Sequence, residues 1–198
     1  MPGTPKTAAA GTASRILDVA ERLVQVRGFN GFSYAHVARE LNVTTASLHY
    51  HFASKAELGE ALIERYSERF AGSLAEIDRR PAAAPAKLEA YSELYADELR
   101  GRRMCLCGVL AAEYETLPPP MREAIVRFFD LNEEWLAGVL EQGRRERTLA
   151  FAGSARTAAR MIVSGLEGAM LVARPYGDLS RYKAAAAALL GSLADGPR

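Results

Sequence analysis

The sequence predicts an all-α protein in two parts: an N-terminal arm with a three-helix, helix-turn-helix unit over residues 1–57, and a larger helical domain over residues 58–198, with roughly nine helices in all. Three observations carry that prediction. No segment alternates apolar and polar residues as a strand would, whereas apolar residues recur at three- and four-residue steps through most of the chain. Residues 33–57, SYAHVARELNVTTASLHYHFASKAE, read as a helix, a tight turn, a second short helix and the capped start of a third. From Leu58 the apolar ladder then continues without a break into the rest of the chain.

Taken in order, residues 1–11 are Pro-, Gly-, Ala- and Thr-rich and read as a flexible arm. A first amphipathic helix starts at Thr12 or Ser14, carries Ile16, Leu17, Ala20, Leu23 and Val24 on one face and stops at Gly28. Next, Ser33 caps a short helix whose stripe is Val37, Ala38 and Leu41. Asn42 ends it, since Asn tolerates the left-handed conformation that a helix C-terminus commonly needs. A second short helix begins at Thr44 or Thr45 and buries Leu48 and Phe52, four apart, which turns Thr45, Ala46, Ser47, His49 and Tyr50 outward. Small, hydroxylic and aromatic side chains on so short a helix suit a DNA major groove, where hydroxyls meet donors or acceptors on base edges. Ser54 and Glu57 form a capping box for the third helix. Lys55 sits in its first turn, where a helix prefers an anion, so a phosphate drawn by both lysine and helix end would resolve the conflict. Arg15, in the first turn of the leading helix, is a second phosphate candidate by the same argument.

Beyond Ser54 a long helix carries Leu58, Leu62, Tyr66, Phe70, Leu74 and Ile77 and ends before Pro81. RRPAAAPA links it to a helix with Leu88, Tyr91, Tyr95 and Leu99; Gly101 breaks that helix, and CLCGVLAAEYETL forms the next, beginning near Met104. Pro118–Pro120 interrupt the pattern, and a helix from Met121 to about Arg145 follows, with Ile125, Phe128, Phe129, Leu136 and Leu140 inward. Over residues 155–173 only Arg156, Arg160, Ser164 and Glu167, continued by Arg174, form a polar stripe, so that helix is buried on two sides. The last helix, Ser180 to about Leu193, pairs a run of alanines with Leu189, Leu190 and Leu193. A symmetric four-helix interface with a second copy, through Gly165, Gly168, Ala169, Val172, Leu189 and Leu193, satisfies both faces.

The stretch TASRILDVAERLVQVRGFNGFSYAHVARELNVTTASLHYHFASKAEL, Thr12 to Leu58, resembles the N-terminal domain of the tetracycline-repressor (TetR) family of bacterial transcriptional repressors. The resemblance includes the leading ILDVA helix, the RGF turn, VARELNV and the closing HF-x-SK. It implies that Thr45, Ala46, Ser47 and Tyr50 face bases of double-stranded operator DNA and that Thr44, His49, His51 and Lys55 face phosphates. It also implies a homodimer whose two heads read two half-sites of a palindrome, and release by a small molecule. This chain has Asn42 where the family usually has Gly, and His49 where it usually has Tyr.

Composition bounds the alternatives. The formal net charge of +1 gives no global sign of nucleic-acid binding, and residues 1–57 carry a bias of only +2, six cationic side chains against four carboxylates. Two cysteines, Cys105 and Cys107, suit a reducing cytoplasm and exclude a disulfide scaffold. The N-terminus lacks a signal peptide's apolar run, and no stretch is long enough to span a bilayer, so the expectation is a cytoplasmic protein without membrane contact. All three histidines, His36, His49 and His51, lie in the head, leaving no general base in the larger domain; no phosphate loop, paired-carboxylate motif or G-x-S-x-G elbow occurs. An enzyme, a metal site and a cofactor are therefore not expected. Tyr66, Phe70, Tyr91, Tyr95, Met104, Tyr114, Phe128, Trp135 and Met161 are the expected lining of a pocket for a small apolar or aromatic effector, because buried Tyr and Trp polar groups want partners. The competing reading is a helical ligand-carrying or adaptor protein whose helix-turn-helix is only structural. Finally, Cys105, Gly108, Leu110 and Ala111 resemble a stretch in a branch of TetR-like regulators, some of which respond to electrophiles or oxidants through a cysteine. Arg102, Arg103 and a helix start at Met104 would activate Cys105 as a thiol sensor.

Overall fold

The computed structural model describes residues 5–193, with side chains from residue 11 onward. Among these residues stand nine α-helices and no strand: α1 (Pro5–Arg27), α2 (Tyr34–Leu41), α3 (Thr45–His51), α4 (Lys55–Arg79), α5 (Ala84–Arg100), α6 (Leu106–Ala112), α7 (Pro119–Glu146), α8 (Ala155–Ala173) and α9 (Leu179–Gly191). Two 3-10 turns, Tyr114–Thr116 and Arg174–Tyr176, complete the set. No helix among the described residues is long and apolar enough to cross a membrane.

The chain divides into two compact units. One holds residues up to Tyr66 together with Leu106–Ile125, and the other holds Ser67–Cys105 together with the chain from Val126 onward. The first unit is built on Ile16, Ala20 and Val24 of α1, Val37 of α2, Leu48 of α3 and Leu58, Leu62 and Ile63 of α4, all fully buried. Arg65 of α4 donates to Asp18 at 2.7 Å and to Glu21 at 2.9 Å, tying that helix to α1. In the second unit α5, α8 and α9 pack on one another. A Cβ at Gly165 of α8 would lie 2.6 Å from Leu189 Cδ2 of α9, so a side chain there would have to displace the end of that leucine.

Three expected boundaries move. The leading helix starts at Pro5 rather than Thr12 or Ser14, so residues 5–11 are helix and not arm; residues 1–4 lie outside the described residues. Proline suits a first helical turn, and the alanine run behind it has the highest helix propensity. For the same reason α7 begins at Pro119, with Pro120 next, instead of at Met121. The third change affects the cysteines: α6 begins at Leu106, not near Met104, so Cys105 precedes the helix and is not in its first turn.

Candidate DNA-reading surface and buried polar cluster

The helix-turn-helix is assembled by local chemistry that the residue order dictates. Asn42 ends α2 in the left-handed region (φ 53°, ψ 48°), and its N–H bonds back to the α2 carbonyls. Ser33, at the start of α2, gives its own N–H to His36 Nδ1 at 3.1 Å. Thr44 caps α3, its hydroxyl accepting the Ser47 N–H at 3.2 Å. The far end of α3 is fixed by Tyr34, whose hydroxyl donates to the Phe52 carbonyl at 2.8 Å; burial raises that phenol's pKa to about 12, with Glu57 adding to the rise. At α4 the Ser54 hydroxyl accepts the Glu57 N–H at 3.1 Å, while the Glu57 carboxylate reaches past Ser54 to the Ala53 N–H at 2.9 Å.

With Leu48 and Phe52 buried, α3 turns Thr45, Ala46 and Tyr50 to solvent and leaves Ser47 partly exposed. Tyr50 is 81% exposed, an unusual place for a large aromatic ring unless something binds there. Thr44, His49 and Arg15 are also exposed, and His51 is partly so, its ring 5.2 Å edge-on from Tyr50. His49 lies 4.6 Å from the Tyr34 ring, and its Nδ1 is 3.1 Å from the Ala53 carbonyl. A carbonyl only accepts, so Nδ1 carries a proton. In neutral His49 the other nitrogen is then an acceptor, and donation from it to a phosphate requires the imidazolium. Lys55 is less free than a surface lysine: Nζ donates to the Phe29 carbonyl at 2.6 Å and lies 4.5 Å from the Phe29 and Phe32 ring centroids. Burial lowers its pKa, opposed by the Glu113 carboxylate.

In the second unit, five of the nine residues expected to line a pocket come together. Phe70 meets Tyr91, Tyr95 and Phe128 edge-on at 5.2–6.0 Å between ring centroids, and Trp135 stacks on Tyr91 at 5.6 Å and 21°. Trp135 is the partly exposed member, with its indole N–H on Asp78 at 2.8 Å. Met104 is buried in the same unit. Tyr66 and Tyr114 belong to the other unit, where Tyr114 lies at the surface 5.3 Å from the Arg122 guanidinium. Met161 is 45% exposed on α8. An open cleft of about 540 Å³ lies elsewhere in the second unit, between the end of α5 and the 174–179 turn, with Arg100, Arg102 and Arg174 on its walls.

Tyr91 and Trp135, expected to seek polar partners in an effector, find them within the chain. Tyr91 donates to Asn132 Oδ1 at 2.9 Å and is 3.0 Å from the Tyr95 hydroxyl, while Asn132 donates to the Phe128 carbonyl at 2.7 Å. Tyr182 of α9 donates to the Ser92 carbonyl at 2.8 Å. Glu167, read from the sequence as part of a polar stripe, instead sends its carboxyl inward. Burial pushes that carboxyl up to about 7, with a hydrogen bond from the Cys105 thiol pulling back down. Both missed residues carried a signal: Asn132 sits four from Phe128 and from Leu136, and Glu167 four from Val163 and three from Met170, all buried. The outward face of α8 is mostly apolar, with Met161, Gly168, Leu171 and Val172 exposed, the last two at 62%, and the hydroxyl residues Thr157 and Ser164 among them. Of the other residues expected at a dimer contact, Ala169 is partly exposed, Gly165 and Leu189 face each other within the chain, and Leu193 is buried. Cys105 and Cys107 are both buried, and Arg103 is engaged by Glu98 at 2.8 Å. Among the described residues no three His, Cys, Asp or Glu side chains are grouped to hold a metal ion.

A rigid, capped α3 with a bare polar face, held on a three-helix head and followed by a helical body, defines a helix-turn-helix regulator. Comparison with known proteins agrees on both halves. The profile for bacterial regulatory proteins of the tetR family matches residues 16–62, and that for the tetracyclin repressor-like C-terminal domain matches residues 84–189. The chain belongs to the TetR family of transcriptional regulators. It is similar to a TetR-family transcriptional regulator from Agrobacterium tumefaciens (29% identity, TM-score 0.90, 94% of this chain and 99% of that one). It is also similar to a TetR transcriptional regulator from Legionella pneumophila (31% identity, TM-score 0.83, 98% and 100%). A third relative is the HTH-type transcriptional repressor NemR of Escherichia coli, 27% identical over 172 residues, which are 82% of this chain and 84% of that protein.

Proposed function

We propose that this protein is a dimeric transcriptional repressor that binds a palindromic operator through residues 1–57 and releases it when a small aromatic effector binds within residues 58–198. The observation that carries the DNA half is the outward face of α3, where Thr45, Ala46 and Tyr50 stand clear of the core on a helix fixed at both ends. Hydroxyl, methyl and phenol groups in that register suit base edges, and Thr44, His49, His51, Lys55 and Arg15 flank them as phosphate contacts. Repression follows the relative named as a repressor. With chromosomal DNA as partner, the protein acts in the cytoplasm.

Support for the dimer is the bare apolar face of α8, Met161, Gly168, Leu171 and Val172, beside the small exposed residues Ala184, Ala185 and Ala188 of α9. Two heads on one duplex face must lie one helical turn apart, about 34–36 Å. A second copy seated on α8 and α9 covers the face and brings two heads into one particle. Support for the effector is the aromatic cluster of Phe70, Tyr91, Tyr95, Phe128 and Trp135. The test is retarded migration of the promoter fragment upstream of the protein's own gene, competed by cognate but not random DNA, followed by release on adding an aromatic small molecule. Equal competition by random DNA overturns the reading.

A further inference from the structure

Donors and acceptors around Glu167 do not balance. The Tyr91 proton goes to Asn132 at 2.9 Å, which leaves Tyr95 to donate across the 3.0 Å contact to Tyr91. The Tyr182 proton goes to the Ser92 carbonyl, and the Cys105 N–H goes to Met170 Sδ at 3.3 Å. The Cys105 thiol donates to the Glu167 carboxyl, while Glu167 Oε1, sealed from solvent, meets no donor among the described residues. The backbone of Glu167 lies near the surface while its carboxyl is enclosed, so the residue is only partly exposed although its charge is buried. An enclosed acceptor without a donor costs about 1–3 kcal/mol, and more when charged. Such a group offers an acceptor to a donor from outside the chain.

We infer that Glu167 is the polar anchor of the effector site, and that the effector is an aromatic molecule bearing an O–H or N–H donor that Oε1 accepts. The inference rests on the effector-responsive reading above. Tyr91 and Tyr95 both lie within electrostatic range of Glu167, and Trp135, stacked on Tyr91, carries the aromatic cluster out to solvent. The aromatic cluster and the Glu167 acceptor thus belong to one core, which suits a ring that carries a donor. Above about pH 7, where Glu167 is ionised, the same acceptor rejects carboxylates, because two charged carboxyl groups brought together in a low-dielectric site repel. Ethers and esters lacking a donor leave Oε1 as it was.

The experiment uses the full chain without DNA and three probes of one shape, β-naphthol, its methyl ether and β-naphthoate, each titrated by calorimetry at about pH 8, where Glu167 is ionised. The expected result is that β-naphthol binds about tenfold more tightly than the ether, the effect of one hydrogen bond to a charged or partly charged group, and that naphthoate binds no better than the ether. In Glu167→Leu the preference for naphthol over its ether disappears. In Glu167→Gln, which keeps a carbonyl acceptor, it survives, and melting curves establish that both variants are folded. Equal binding of naphthol and ether, binding by none of the three, or a preference that persists in Glu167→Leu overturns the inference. Operator release is measured separately. If naphthol binds through Glu167 and the operator stays bound, the site stands and the effector-responsive reading falls. If an aromatic compound releases the operator equally well from Glu167→Leu, that reading stands and the site falls.

Discussion

Glu113 Oε2 accepts the backbone N–H of Phe29 at 2.6 Å. The same oxygen takes the Asn30 N–H at 3.2 Å, Asn30 Nδ2 donates to Thr116 at 2.8 Å, and the Phe29 carbonyl receives Lys55. The turn between α1 and α2 is thus held by α4 from one direction and by the residues after α6 from another. Gly28 makes this possible: its φ of +80° suits glycine, and a Cβ there would lie 2.4 Å from Glu113 Oε1. Glu113→Ala is expected to cost about 1–3 kcal/mol in urea unfolding, the loss of a charged acceptor from two backbone donors. Gly28→Ala is expected to cost at least about 1–2 kcal/mol from the left-handed backbone alone, and to displace the carboxylate besides. Unchanged midpoints for both variants would remove the turn's claim to be clamped.

The DNA face separates into readers and anchors. Thr45→Ala and Tyr50→Ala are expected to change sequence preference, at ~1–3 kcal/mol per lost base contact, measured against cognate and random fragments. Lys55→Ala is expected to weaken binding to all sequences alike and to lower the salt slope by roughly one. Because Lys55 also holds the Phe29 carbonyl, the variant is additionally less stable, and thermal melting records that second loss. Equal effects on specific and random DNA at all three positions would remove the assignment.

The bare stripe of α8 gives a contrast between two glycines one turn apart. Nothing lies within 4 Å of a Cβ added at Gly168, whereas one at Gly165 meets Leu189. Gly168→Arg is therefore expected to leave a folded monomer with much weaker operator affinity, by sedimentation and gel shift. Gly165→Arg is expected to displace Leu189 and to lower the melting temperature as well. A Gly168→Arg protein that sediments as a dimer places the subunit contact elsewhere.

How far the sequence carried these conclusions depends on the distance between partners. The helix-turn-helix was legible almost to the residue, since Asn42, Thr44, Ser54 and Glu57 act on neighbours within four positions. The prolines at the starts of α1 and α7 misled because proline stops a helix from within yet opens one readily. Least legible were the contacts joining distant segments. Glu113 and Phe29 are 84 residues apart, and Glu167 looked like part of a solvated stripe because its place between Val163 and Met170 was outweighed by Arg156, Arg160 and Ser164. Asn132 fell in a gap of the apolar ladder of α7, and only its bond to Tyr91 gives the gap a meaning.

Glu167 also predicts how stability depends on pH. Its carboxyl titrates at about 7 in the fold against an ordinary 4.5, so between those values the native state holds a proton that the unfolded chain has lost. Stability is then greatest below about pH 4.5 as far as this group decides, falls as pH rises to about 7, and is flat above. The full shift corresponds to about 3 kcal/mol as an upper figure. Glu167→Gln lacks the proton and is expected to lack that fall, so urea unfolding at about pH 5 and about pH 8 should narrow the gap between the two conditions. A wild-type slope unchanged in the variant assigns it to another group.

The thiols give the last test. Cys105 and Cys107 are about 1% and 0% exposed, so neither reacts until the surrounding helices open, and sub-denaturing urea should speed the reaction of both. They differ in company. Cys105 gives its proton toward the Glu167 carboxyl, while Cys107 belongs to the other unit. With N-ethylmaleimide, the thiol proton passes to an acceptor as sulfur bonds to one alkene carbon, the alkene electron pair moves to the maleimide carbonyl as an enolate, and a proton from solvent then closes the other carbon. Glu167 supplies one at Cys105, in place of the arginine-rich helix start expected from the sequence. An adduct at Cys105 also forces apart α8 and the segment before α6, because the Cys105 N–H is bonded to Met170 Sδ. The expected outcome is that maleimide releases the operator from wild type and from Cys107→Ser, and leaves Cys105→Ser bound. Glu167→Leu should slow the release without abolishing it. If all three thiol forms let go equally, or none does, the cysteines are core residues and the switch is worked by a non-covalent effector alone.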